Sequence, residues 1–213
     1  MDVLTLFFLR HGECEANVAR RFAGRTGDSP LTEKGVLQAQ RAADGLRAIP
    51  FGRVLSSPLA RARRTAEIAN QYHGLALEQD ESLSEVNFGI LDGESYDSLT
   101  NLQVFEAVLA QWQAGDAAGR VPQGESLAEV VARFERFLAG LGDCDSKPVL
   151  VVGHSIYLMA AIWGVMADLG PEIGQYRQRQ GHVSILRAQG GRLALAAFDV
   201  DPGEPGDALK WSG

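Results

Sequence analysis

The sequence predicts an α/β fold: a three-layer α/β/α sandwich around a mainly parallel central sheet, with a helical insertion. Three observations carry this. Val3 to Leu9 is an almost unbroken apolar run that stops at Arg10-His11-Gly12, the pattern of a strand buried on both faces. A second such run, Val149-Leu150-Val151-Val152, stops at Gly153-His154-Ser155. Amphipathic helical stretches lie between them, with no internal repeat or low-complexity linker. Both strands thus deliver a histidine at the carboxyl end, where open α/β sheets place their ligand crevice.

The remaining elements follow in order. Thr32 caps a helix running toward Ala48, with Val36, Ala39, Ala43 and Leu46 on one face. Arg53 to Ser56 is a short strand. Ser57-Pro58 reads as an N-cap with proline at the first helical position, opening a helix to about Tyr72 with Leu59, Ala62, Ala66 and Ala69 inward. Ser126-Leu-Ala-Glu129 is a capping box. The helix behind it buries Leu127, Val130, Val131, Phe134, Leu138 and Leu141. Ser155 to about Met166 is apolar on nearly every side and reads as a buried helix. His182 to Arg187 and Arg192 to Phe198 flank Gly190-Gly191 as a hairpin. One domain therefore spans residues 1–198, with a mainly helical insertion over about 90–140. A loose tail covers 199–213.

Composition narrows the function. The 213 residues carry 20 Lys+Arg against 27 Asp+Glu, a net charge of −7. That balance disfavours nucleic acid and anionic membranes as partners. Two cysteines, Cys14 and Cys144, form no framework, no metal-ligand spacing is present, and no apolar run approaches the roughly 18 residues of a membrane helix. A cytoplasmic, metal-free protein without a cofactor is expected. A homodimer is left open.

At the first strand end, Arg10 offers a planar fork that matches phosphate oxygens. His11 can serve as a nucleophile, and Gly12 lets the backbone approach a ligand. Further blocks follow in order: Gly27-Asp28-Ser29-Pro30-Leu31-Thr32-Glu33-Lys34-Gly35, Ser56-Ser57-Pro58-Leu59-Ala60-Arg61-Ala62-Arg63-Arg64-Thr65-Ala66, Leu83-Ser84-Glu85-Val86-Asn87-Phe88-Gly89 and Val152-Gly153-His154-Ser155. This series resembles the histidine phosphatase superfamily, with its phosphoglycerate mutase-like fold, from Val3 to about Phe198.

The resemblance implies that His11 is the transiently phosphorylated nucleophile. It implies that Arg10, Arg61 and His154 cradle the phosphoryl group, that Asn17 hydrogen-bonds it, and that Glu85 is the proton donor and then the base. Ser155 would offer its N–H at a helix N-terminus. Gly24, Cys14 and His182 complete the candidate phosphate or pocket-rim residues. Cys14 stands where the family commonly has Thr or Ser, and a thiol is a weak donor. His182 opens a segment that often begins with Asn. His73 reads as a helix C-terminal residue, Arg63 and Arg64 as a solvated helix face, and Cys144 as a loop thiol without a role.

Hydrolysis of small soluble phosphomonoesters is the expected activity. The alternative is mutase-type phosphoryl transfer between hydroxyls. Against it, Glu94 to Gln123 holds one cation, Arg120, and four acids, Glu94, Asp97, Glu106 and Asp116. The same stretch offers Tyr96, Phe105 and Trp112 as core or as a lid, and Arg20, Arg21 and Arg25 are candidates for the pocket mouth. From another class, Gly153-His154-Ser155 with Asp168 and His182 outlines a serine hydrolase, but Tyr157 replaces the second glycine of that turn. A binding module without catalysis would need neither His11 nor Glu85.

Overall fold

The structure, a computed structural model, describes residues 3–142, 147–166, 168–190, 192–204 and 209; Cys144 lies outside them. The described strands are β1 (Leu4–Arg10), β2 (Arg53–Ser56), β3 (Leu77–Gln79), β4 (Val149–Gly153), β5 (Val183–Gln189) and β6 (Arg192–Val200). They form one sheet in the order β3-β2-β4-β1-β5-β6. The β3–β2, β2–β4 and β4–β1 pairings are parallel, and β5 and β6 add an antiparallel flank beside β1. The helices are α1 (Glu15–Val18), α2 (Glu33–Leu46), α3 (Ala60–Ala69), α4 (Leu99–Gln113), α5 (Leu127–Gly140) and α6 (Ser155–Val165).

Side-chain alternation along the central strands builds two cores. Phe7, Leu9, Leu150 and Val152 face one side and pack with Ala42, Leu46, Ala62 and Ala66 of α2 and α3. Leu6, Phe8, Val149 and Val151 face the other and pack with α4, α5 and α6 through Phe105, Phe134 and Leu158. α6 is buried nearly all round, as its uniformly apolar sequence requires.

The register of the two central strands positions the site. Arg10 pairs with Gly153, the last residue of each strand, so His11 and His154 emerge side by side.

Capping follows the sequence at two helices. Thr32 accepts from the Gly35 N–H, and Ser126 and Glu129 close a reciprocal box. At α3 the expectation is corrected. The helix starts at Ala60 rather than beside Ser57, and the Ala60 N–H donates to the carboxylate of Asp28 at 2.8 Å. A carboxylate 32 residues away meets the first helical N–H, while Ser57 Oγ accepts from the Leu59 N–H at 3.3 Å, one residue before the helix.

The tail is corrected too. Asp199 and Val200 belong to β6, Asp199 accepts from the Arg179 guanidinium, Asp201 pairs with Arg41, and Leu209 is buried. These contacts tie residues 199–204 and Leu209 to the domain despite the Pro-Gly composition; the rest of the tail, 205–208 and 210–213, lies outside the described residues. β3, three half-exposed residues at the sheet edge, carries no apolar pattern by which the sequence could announce it.

Candidate active site

Beyond the carboxyl ends of β1 and β4 lies a cavity of about 340 Å³. Its polar end is formed by Arg10, His11, Asn17, Glu85 and Ser155, and its apolar wall by Phe22, Phe88, Tyr96, Leu102, Phe105 and Ile156. Arg61 and His154 are fully buried and sit behind this surface, against His11.

The tautomer of His11 follows from its partners. Nδ1 lies 2.7 Å from the Gly12 carbonyl oxygen, which can only accept, so Nδ1 carries the proton. Nε2 faces the Arg61 Nε–H at 3.3 Å. A guanidinium can only donate, so Nε2 presents a lone pair. Burial, and then the Arg61 and Arg10 cations, hold the imidazole pKa well below its usual 6.5. His11 is therefore neutral at neutral pH, with the Nε2 lone pair held only by the long contact to Arg61.

Polar atoms without hydrogen-bond partners converge here. Among the described residues, Arg10 Nε, Arg61 Nη1, His154 Nδ1 and Ser155 Oγ are buried and make no hydrogen bond, Arg61 Nη1 having only the Asp28 carboxylate at 3.5 Å. Buried polar groups are nearly always satisfied, so four such atoms around one histidine mark a cradle for a ligand rich in acceptors. Other atoms of the same side chains are anchored. Arg10 Nη1 donates to the Gln178 carbonyl at 2.6 Å, Arg61 Nη2 to the carbonyls of Ala23 and Gly24, and His154 Nε2 lies 2.8 Å from Ser57 Oγ.

Glu85 lines the same cavity. Its Oε1 accepts from the N–H groups of Tyr157 and Val86 at 2.7 and 3.0 Å. Burial raises its pKa above 4.5 against the opposing pull of those N–H groups and the nearby arginines. The loop that carries it is braced from both sides. Arg25 Nε donates to the Glu85 carbonyl, and Arg133 Nη1 to the Ser82 carbonyl at 2.6 Å. Glu125 joins the two arginines through ion pairs of 3.0 and 2.8 Å, and also accepts from the Asn87 N–H.

The remaining expected residues divide. Asn17 lines the cavity, its carbonyl held by Gln180 and by the Cys14 thiol and N–H. Cys14 is fully buried at the N-cap of α1 and orients Asn17 instead of facing a ligand. Gly24 donates its N–H to Asp92 and accepts from Arg61, so it supports the cradle from outside. His182 is not among the residues that line the cavity, and its Nδ1 lies 2.9 Å from the Asp199 carbonyl oxygen. The serine-hydrolase arrangement is thereby not assembled: Ser155 Oγ has no base beside it, and Asp168 lines a different cleft.

Of the three loop arginines, Arg21 lines the cavity, Arg20 pairs with Asp97 at the surface and Arg25 braces Glu85. Tyr96 and Phe105 face the cavity, whereas Trp112 is core. Arg63 and Arg64 pair with Glu67 on the exposed face of α3. Sequence reasoning missed Arg177, which lines the cavity, and Ser57, Asp28, Gln178 and Glu125, which hold other residues in place. Only Asp28 and Ser57 lay inside a recognised block.

A neutral imidazole, a cationic cradle and a buried carboxyl gathered beyond the strand ends of an α/β sheet suit an enzyme of phosphoryl-transfer type. Comparison with known proteins gives the family: residues 6–201 match the histidine phosphatase superfamily, branch 1, and the chain belongs to it. A curated relative from Escherichia fergusonii, named probable phosphoglycerate mutase GpmB, is 39% identical, the alignment covering 87% of this chain and 84% of that one. The solved alpha-ribazole phosphatase of Shigella flexneri superposes with a TM-score of 0.75 at 27% identity, over 93% of this chain and 97% of that one. A mycobacterial glucosyl-3-phosphoglycerate phosphatase gives 0.76 at 27%, over 92% and 99%.

Proposed function

We propose that the chain hydrolyses small soluble phosphomonoesters through a phosphohistidine on His11, without a metal ion. The observation that carries this is the His11 ring, neutral and with its Nε2 lone pair in a cavity shared with Arg10 and Glu85. Phosphoryl transfer asks mainly for positioning and charge stabilisation. Nε2 attacks phosphorus as the bond to the leaving alcohol breaks, and protonated Glu85 gives its proton to the departing oxygen. Carboxylate Glu85 then takes a proton from water as that water attacks phosphorus. The P–N bond breaks, and His11 and Glu85 return to their starting states. Arg10, Arg61 and His154 hold the phosphoryl oxygens, with Asn17 and the N–H of Ser155 completing the ring of donors.

A second reading, transfer between two hydroxyls, draws support from the name of the 39% identical relative. The apolar wall favours hydrolysis of a bulkier ester, since a glycerate has little surface to lay against four aromatic rings. The test is p-nitrophenyl phosphate hydrolysis. Turnover should survive EDTA, stop with vanadate, vanish in His11→Ala and fall only a few-fold in Ser155→Ala. Retained activity in His11→Ala contradicts the reading. Faster isomerisation than hydrolysis of 3-phosphoglycerate decides for the mutase.

A further inference from the structure

The mouth of the cavity carries two arginines that the phosphoryl chemistry does not use. Arg21 donates Nη1 to the Gly93 carbonyl at 2.7 Å, and Arg177 lies over the Phe105 ring at 5.4 Å. Both line the cavity. In a chain with 27 acidic residues, neither has a carboxylate within 4 Å among the described residues. Glu106 acts on Arg177 only through space. Neighbouring arginines are matched: Arg20 with Asp97, Arg25 with Glu125 and Arg179 with Asp199. Tyr96, Leu102 and Phe105 line the same cavity. The pocket thus offers, in addition to the phosphoryl cradle, an apolar wall and two arginines without a carboxylate partner among the described residues.

We propose that the cavity selects phosphomonoesters whose alcohol carries an apolar ring and a carboxylate, the ring against Tyr96 and Phe105 and the carboxylate on Arg177 and Arg21. This rests on the cavity being the phosphomonoester site. A planar guanidinium accepts a carboxylate through two parallel hydrogen bonds, and its position on an aromatic face limits the freedom lost on binding.

Non-hydrolysable phosphonates test the proposal separately from catalysis. Calorimetric binding to the intact protein should tighten from methylphosphonate to phenylphosphonate, and by roughly tenfold more for 4-carboxyphenylphosphonate, the lower end of what a charge-assisted hydrogen bond contributes. The uncharged 4-carbamoyl isostere should lose that last gain, as should the R21M/R177M double variant, checked for folding by circular dichroism. Equal binding of the carboxylate and the amide by the wild type overturns the proposal, as does a carboxylate gain that survives in the double variant. Failure of every phosphonate to bind overturns it together with the phosphate site. Binding in this order with no hydrolysis of any phosphomonoester leaves the subsite standing and removes the proposed function.

Discussion

His11 reaches its reactive state through what its two nitrogens touch: a carbonyl fixes the proton on Nδ1, and a guanidinium fixes the lone pair on Nε2. Glu85 is set by the opposite demand, since burial favours its neutral form. The first shift extends the neutral form of His11 toward acid pH, and the second extends the protonated form of Glu85 toward alkaline pH. The rate should fall on the acid side only well below pH 6.5, where His11 takes up a proton. On the alkaline side it should fall above the usual carboxylate range, where Glu85 loses one. Glu85→Gln should lower kcat/KM for an alkyl phosphate by roughly 10²–10⁴, the usual worth of a positioned acid. It should lower kcat/KM for p-nitrophenyl phosphate far less, because p-nitrophenolate leaves without a proton. Equal losses on the two substrates would show that Glu85 does not protonate the leaving oxygen.

At the scale of elements, the site depends on how closely loops and helices approach. Gly12 and Gly35 let the N-terminus of α2 lie against the loop after β1; a methyl on Gly35 would run into the Glu13 carbonyl. Gly35→Ala should therefore destabilise the fold by about 1–3 kcal/mol, as overpacking does, measured as a shift of the urea midpoint. Glu125 works on the loop of Glu85 from the other side, through Arg25 and Arg133. It lies outside the cavity lining, and the proposed mechanism makes it a positioning residue. Glu125→Gln should lower kcat by about 10²-fold, as misplacement of a reacting group does, with little change in KM. A change in KM alone would assign Glu125 to binding. The strands that carry His11 and His154 were legible because each is an unbroken apolar run ending in charge. The braces were not, because Asp28, Gln178 and Glu125 act across 32 to 168 residues of chain on groups that no local pattern connects. Ser57 was misread for the same reason. Ser-Pro before a helical stretch is the ordinary sign of a cap, yet here the hydroxyl takes only the Leu59 N–H, ahead of the helix, and also contacts His154. The residues beyond Phe198 read as loose by composition, yet their anchors, Arg179 and Arg41, lie on other parts of the fold.

For the whole molecule, the net charge of −7 and an anionic substrate fit once charge is read locally. Arg10, Arg61 and the mouth arginines concentrate positive charge at one end of the sheet, and a Debye length of about 8 Å limits what distant acids do there. Stability carries the cost of burying the site. Both His11 and His154 have pKa values well below 6.5 in the folded state. As pH falls through about 6.5, the unfolded chain takes up protons that the folded chain refuses. Stability is then lost by up to about 1.4 kcal/mol per pH unit for each histidine. Glu85 acts with the opposite sign, its contribution lost as pH rises through its raised pKa. Urea unfolding at pH 7.5 and 5.5 should show the loss on acidification, and His154→Gln should make it shallower; an unchanged slope would mean that His154 is not buried neutral. The central claim is chemical, and trapping the covalent intermediate tests it most directly. After rapid mixing with p-nitrophenyl phosphate in EDTA and an alkaline quench, mass spectrometry should find one acid-labile phosphoryl group on the peptide carrying His11. Turnover with no phosphoryl group on that peptide, or with the group on Ser155, would contradict the account.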